Sequence, residues 1–277
     1  MALRSIFSGT SVIFLCGLFS NIAAANDDAA LPEWILSAGV PLLPRFEENI
    51  PTWSTTLLLS ASLTPRYAGS NALRAQALPL FDIRYKDWLF ISAIEGLGIN
   101  LSQSKNYRVG VAVNYASGRS PSDAPILKST ASIRSAAEVK VFADYVIFPV
   151  VLRTDVRHTI NGYSGYVIDG AAYVPLTASD RFVMFAGVSA TWGTRSYMQD
   201  YFSITPADSV ASVLPSYQSA GGLRSAGLGV NATWNISKHW LIDGAFGAQR
   251  FGNHAYESPL TQTRIETSST LSVGYTF

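Results

Sequence analysis

The residues of this chain best suited to chemistry are few and scattered. Its three histidines are His158, His239 and His254. No HxxxH or HxH spacing brings two imidazoles to one face, so no metal site and no cofactor are expected. Asp155 precedes His158 by three positions, and His254 precedes Glu257 and Ser258. Acid–histidine and serine–histidine pairs can carry hydrolysis, but this spacing does not force the geometry a catalytic constellation needs. The plainer reading is histidines in polar loops at an element's rim, with no catalytic residues and no enzymatic activity. More telling are nine charged residues that recur on one side of alternating segments: Asp82, Arg84, Glu138, Lys140, Asp144, Arg153, Asp155, Arg157 and Asp243. They could line a channel and select its solutes. They could instead form a cross-strand salt-bridge ladder, because opposite charges on facing strands attract and isolated buried ones are costly. The near-equal signs favour the packed ladder.

The elements that would position these charges are strands. In Asn106 to Tyr115, one face carries Tyr107, Val109, Val111, Val113 and Tyr115, while the other carries Arg108, Gly110, Ala112 and Asn114. Ala137 to Ile147, Val150 to Arg157, Arg181 to Trp192 and the stretch after Trp240 alternate in the same way. Further strands are expected at 53–64, 74–86, 88–101, 163–175 and 223–235. A soluble sandwich would also alternate. Three details favour a membrane barrel. The polar faces hold Gly, Ser, Ala and paired charges, as a narrow lumen requires. Aromatics such as Trp53, Tyr85, Trp88, Trp192 and Trp240 sit at segment ends, where interfacial girdles lie. The chain also ends inside a strand, Leu271 to Phe277, whose last aromatic is the usual address for the outer-membrane barrel assembly machinery.

Composition agrees. Only 14% of the 277 residues are charged and 48% are hydrophobic, against about 25% charged in an average globular chain. That excludes a disordered chain and a polybasic nucleic-acid binder. After residue 25 no apolar run is long enough for a membrane helix. Residues 1–25 have one charge, Arg4, an apolar stretch from Val12 to Phe19, and the end Ala23-Ala24-Ala25, the layout of a cleavable export signal. Leu15 before Cys16 argues against lipidation, so the single cysteine leaves with the signal. Residues 26–51, with four prolines and two acidic pairs, read as a periplasmic lead-in. Residues 52–277 form the barrel.

Short connections at 85–87, 148–149, 178–180 and 236–238 belong on the periplasmic side, and long ones at 116–131, 193–222 and 250–264 outside. The segments number eleven, yet single-chain bacterial barrels almost always have an even count. Either Glu95-Gly96 divides 88–101, or Trp34 to Val40 adds a strand. The expected fold is therefore an all-β transmembrane antiparallel β-barrel of twelve strands, with ten as the alternative count. In the longest loop, Thr205-Pro206-Ala207-Asp208 supplies an N-cap, a proline at the first helical position and an acid at the third, predicting a short helix to about Ser212. Tyr197 to Phe202 and this helix either plug the barrel mouth or form an ordinary ordered loop.

Several stretches in order resemble the MipA/OmpV (MltA-interacting protein) family. They are Pro65-Arg66-Tyr67-Ala68-Gly69-Ser70, Leu78-Pro79-Leu80-Phe81-Asp82-Ile83-Arg84-Tyr85, Gly96-Leu97-Gly98-Ile99-Asn100-Leu101 and Gly118-Arg119. Tyr197 to Ala207 is similar to the family's most distinctive stretch, with Ser203 where a Gly is usual, and Gly274-Tyr275-Thr276-Phe277 also fits. The resemblance covers about residues 50 to 277. It implies a Gram-negative outer-membrane barrel of the cell envelope that acts as a scaffold for peptidoglycan machinery. The implied partners are a murein-degrading lytic transglycosylase and a penicillin-binding murein synthase, besides outer-membrane lipid. The family supplies no catalytic residues to carry over. A small-solute channel or permeability factor, and a surface adhesin using the three long loops, are the alternatives. No residues can be assigned to partner binding.

Overall fold

The computed structural model describes residues 51–212 and 214–277. The export signal, the lead-in up to residue 50 and the candidate strand Trp34 to Val40 lie outside the described residues. Strands dominate: β1 (Trp53–Pro65), β2 (Leu73–Tyr85), β3 (Leu89–Ser92), β4 (Gly96–Gln103), β5 (Tyr107–Ala116) and β6 (Ala136–Ile147), then β7 (Val150–Ile160), β8 (Val167–Ala178), β9 (Phe182–Gly193), β10 (Gly222–Asn235), β11 (Trp240–Phe251) and β12 (Ile265–Thr276). Each strand pairs antiparallel with its sequence neighbours. The ring closes where β1 meets β12, in a register running from Thr56↔Thr276 to Leu63↔Ser269. The described residues form twelve strands, the expected number, and the twelfth comes from 88–101: Ala93-Ile94-Glu95 is a turn, so that stretch is β3 and β4. The segment expected at 163–175 begins later, at Val167, because Tyr163 turns inward within the loop.

The two-residue period explains the closure. On β1, Leu57, Leu59 and Leu63 face outward, while Thr56, Ser60 and Thr64 are buried inside. Leu97, Val113, Val141, Leu228, Leu271 and Val273 continue the apolar outer belt. Hydrogen bonds link the inner faces across the closing seam, from Ser60 to Ser272 at 2.7 Å. Aromatics crowd the end where β1 starts and β12 finishes. Trp53 lies 4.8 Å from Tyr85, Tyr85 lies 6.3 Å from Trp88, and Tyr275 contacts Trp240 and Phe277 at 5.1 and 4.9 Å. Short turns at this end and long loops at the other put the girdle at the periplasmic interface. One of these turns, Tyr85-Lys86-Asp87-Trp88, has positive φ at both central residues (47° and 55°), the geometry whose twist matches a hairpin.

Among the described residues three short α-helices lie in the outer loops, α1 (Arg195–Phe202), α2 (Pro206–Ala211) and α3 (Asn253–Tyr256), besides a 3-10 turn at Pro125–Leu127. The helix predicted from Thr205 is α2. Thr205 accepts from Asp208 N, and the Asp208 carboxylate accepts from Thr205 N. α1 carries no such sequence cue, and its buried side chains show that packing fixes it.

Candidate functional site

The candidate site is the barrel interior, which is filled by buried side chains at two levels. The lower level is ionic. All nine charges assigned inward from sequence are there, and eight of them are at least nine-tenths buried, with Arg157 somewhat more open. Three arginines share Glu95, which alternation alone marked only as an interruption. It sits 1% exposed at the tip of the β3–β4 hairpin. Arg84 and Arg108 reach it from β2 and β5, the latter at 2.9 Å, and Arg153 reaches it from β7, also at 2.9 Å. Arg84 also grips Asp82 through two bonds of 2.7 and 2.9 Å. Register explains the next pairing. Arg108, Asp144 and Arg153 stand opposite one another on β5, β6 and β7, and Arg108 Nη2 approaches Asp144 to 2.6 Å. Arg108 also lies over the Phe142 ring at 4.8 Å, and Arg84 over Phe90 at 5.2 Å.

A second cluster lies beside the first. Asp155 and Asp169 face each other across β7 and β8, a like-charge pair that would repel. Arg157 neutralises both, with bonds to Asp155 at 3.1 Å and to Asp169, and it lies 3.5 Å from Glu138. Tyr163 donates to Glu138 at 2.7 Å. On the far wall, Asp243 accepts from Thr233 at 2.7 Å and from Asn231 at 3.2 Å. Sequence reasoning missed Glu95, Asp87 and Asp169 among these groups, and Arg224 and Glu266 nearer the mouth. Arg108 was on the polar face of its strand, so its inward aim was readable.

The upper level is aromatic. Tyr197, Met198, Tyr201 and Phe202 of α1 are buried against Tyr163, Val167 and Phe251. Tyr163 meets Tyr197 edge-on at 5.0 Å, and Phe202 meets Phe251 at 5.9 Å. Gly193 makes this docking possible, since a Cβ there would come 2.5 Å from the Tyr197 ring. Other loops fasten the helix. Arg119, in loop 117–135, donates to Tyr201 O and at 3.4 Å to Asp200 O, and Ser258 Oγ donates to Phe202 O at 2.6 Å. Burial pushes the Arg119 guanidinium below the usual arginine range, with the nearby tyrosines Tyr201 and Tyr67 opposing the shift. Tyr67 donates to Leu260 O at 2.9 Å, and burial pushes its phenol well above the ordinary value. Of the two segments considered as a plug, Tyr197 to Phe202 packs against Tyr163, Val167 and Phe251, whereas α2 buries no side chain.

The histidines do not converge. Asp155 points into the lumen, whereas His158 lies on the other face of β7, bonds Gly165 O at 2.5 Å and meets the Tyr166 ring at a tilt, 4.9 Å between centroids. Ser258 is committed to Phe202 O, and the His254 carbonyl accepts from Tyr217 and Ser219. His239 bonds Thr276 O at 2.8 Å in a periplasmic turn. Among the described residues no group of three or more His, Cys, Asp or Glu could hold a metal ion.

The family described as MltA-interacting protein MipA matches residues 57–277 of the chain. No curated protein matches it. Solved structures with some likeness include the CymD monoaromatic hydrocarbon channel, 9% identical, covering 90% of this chain and 93% of that one with a TM-score of 0.41. The toluene transporter TbuX of Ralstonia pickettii is 8% identical, with coverages of 91% and 94% and a TM-score of 0.36. The NanC porin is 7% identical, with coverages of 80% and 98% and a TM-score of 0.40.

Proposed function

Because the chain belongs to the MltA-interacting protein family of outer-membrane β-barrels, we propose that it is a structural, non-enzymatic barrel whose periplasmic end docks murein machinery. The single observation that carries this reading is the filled interior. Glu95 ties Arg84, Arg108 and Arg153 together inside the barrel, and the side chains of α1 pack together with Tyr163, Val167 and Phe251. A selectivity lining leaves a solute path between its charges, whereas here the charges neutralise one another. A barrel sealed along its axis offers surfaces instead of a pore. The periplasmic surface consists of the turns at 86–88, 104–106, 148–149, 179–181 and 236–239, and the lead-in of residues 26–51 joins it as a docking segment. The first partner is the lytic transglycosylase that gives the family its name. A penicillin-binding murein synthase is the second.

Cross-linking in envelope membranes followed by pull-down of the full-length chain tests the docking, and planar-bilayer recording tests the seal. Recovery of a lytic transglycosylase together with the absence of a steady current is the expected result. A steady open pore, with no murein enzyme recovered under several growth conditions, would overturn the reading in favour of a small-solute channel.

A further inference from the structure

Every acid of the two ionic clusters has an arginine within 3.5 Å. Asp243, on the far wall, has no basic partner among the described residues. Its hydrogen bonds come from neutral groups, Thr233 Oγ1 at 2.7 Å and Asn231 Nδ2 at 3.2 Å to each carboxylate oxygen. An ionised carboxylate offers about four acceptor positions, so these three donations leave one open. Yet the residue is only 6% exposed.

The surroundings make that charge expensive. Asn231 stands opposite Phe185 on β9 and Ala245 on β11, and Thr233 stands opposite Val183. Phe185, Ala245 and Val183 belong to one apolar cluster of the interior. Two residues before Asp243, Leu241 packs with Leu58 in another. A buried carboxylate with no opposite charge is costly in such a setting, and any cation that reaches it is attracted more strongly than in water.

Asn231 supplies a second, independent observation. It is fully buried, and its Oδ1 has no hydrogen-bond partner among the described residues. Turning the amide over is no remedy, because Oδ1 would then face the carboxylate, acceptor against acceptor, and both donations would be lost. Water could donate to Oδ1 but would leave the charge of Asp243 unmatched. A cation answers both needs. The neighbouring rung agrees with this chemistry: Asp243 stands opposite Ser272, and Ser272 opposite Ser60, whose hydroxyls bond each other at 2.7 Å. Carboxylate, amide and hydroxyl oxygens are the donors that hard cations take, and one carboxylate balances one positive charge.

We propose that Asp243, Asn231 and Thr233 form a binding site for a monovalent alkali cation in the lumen wall. The ion takes the open position of the Asp243 carboxylate and the Asn231 Oδ1. It does for the β10–β11 wall what Arg157 does for Asp155 and Asp169 across β7 and β8. The site goes beyond the docking role and does not rest on it.

Urea unfolding of the full-length barrel in lipid vesicles tests it, with sodium chloride exchanged for N-methylglucamine chloride at equal ionic strength. Once sodium exceeds its dissociation constant, the unfolding equilibrium constant should fall about tenfold for each tenfold rise in sodium. Asp243→Asn removes the charge at nearly constant volume and should abolish this dependence, and Asn231→Ala should weaken it. A wild-type midpoint indifferent to sodium, or the same response in Asp243→Asn, would overturn the proposal. So would an infrared band of a protonated carboxyl that Asp243→Asn removes, since a proton would then neutralise the acid. Should the variants fail to fold, sodium-23 relaxation of the wild-type barrel gives a second measurement. Line broadening removed by potassium but not by N-methylglucamine supports the site, and relaxation equal to that of protein-free vesicles overturns it.

Discussion

Replacing Glu95 by Gln keeps the side chain's volume and removes the anion that three guanidiniums share. With Glu95 in place, Asp82, Asp87, Glu95 and Asp144 balance Arg84, Arg108, Arg153 and Lys140; without it, the group carries one unmatched positive charge. Each contact at about 4 Å is worth about 4 kcal/mol of raw attraction at an effective dielectric of about 20. Much of that is offset, because the variant no longer has to desolvate a carboxylate. Breaking a buried ion pair by removing one partner costs about 3–5 kcal/mol net, and this range applies to a residue 1% exposed. Urea unfolding in lipid vesicles, followed by tryptophan fluorescence and by the gel shift of the folded barrel, measures the loss. The double variant Glu95→Gln, Arg153→Met should recover part of it, since the residual charge goes as well. A loss within about 1 kcal/mol, typical of a solvated surface pair, would refute the reasoning and mean that water screens the lumen.

Other perturbations probe other levels. Phe202→Ala should cost about 3–5 kcal/mol of mouth packing and expose loop 194–221 to protease, yet leave the bilayer current absent because the ionic layer below remains. Gly96→Ala should destabilise the barrel by more than about 1 kcal/mol, read as a lower urea midpoint, because Gly96 has φ +89° and a Cβ there would come 2.5 Å from Val113 O. Thr205→Ala removes the capping box at a local cost of about 0.5–2 kcal/mol. Since α2 buries no side chain, amide exchange in 206–211 should quicken while the global unfolding midpoint stays put. Deleting Phe277, whose N–H donates to Thr55 O at 3.0 Å at the barrel seam, should slow assembly in cells, seen as a larger unfolded fraction on unheated gels.

What the sequence made legible follows from range. A two-residue alternation is a local property, so Tyr107 to Tyr115 and Ala137 to Ile147 declared their faces unaided, and the inward charges from Asp82 to Asp243 followed from them. The capping box at Thr205 is equally local. Glu95 was not legible, because its role depends on β3 stopping after four residues and on partners from β2, β5 and β7. The helical form of α1 was hidden for the same reason. Its apolar side chains, Tyr197, Met198, Tyr201 and Phe202, gain their meaning from Tyr163 and Phe251 on distant segments. Asp169 was passed over because β8 alternates weakly, with Gly170, Ala171 and Ala172 giving little contrast between its faces.

The short β3–β4 hairpin is what places Glu95. A hairpin as tall as β1 and β2 would carry its turn out to the loops and leave Glu95 in water, where its attraction for arginines is weak. By turning at Ala93-Ile94-Glu95, with Gly96 taking the positive φ that the reversal needs, the chain delivers a carboxylate to mid-height inside the lumen. Lengthening β3 and β4 by equal numbers of residues should lift Glu95 away from Arg84, Arg108 and Arg153 and lower the urea stability of the barrel by about 3–5 kcal/mol. A lengthened barrel that kept its full stability would refute the role assigned to the short hairpin.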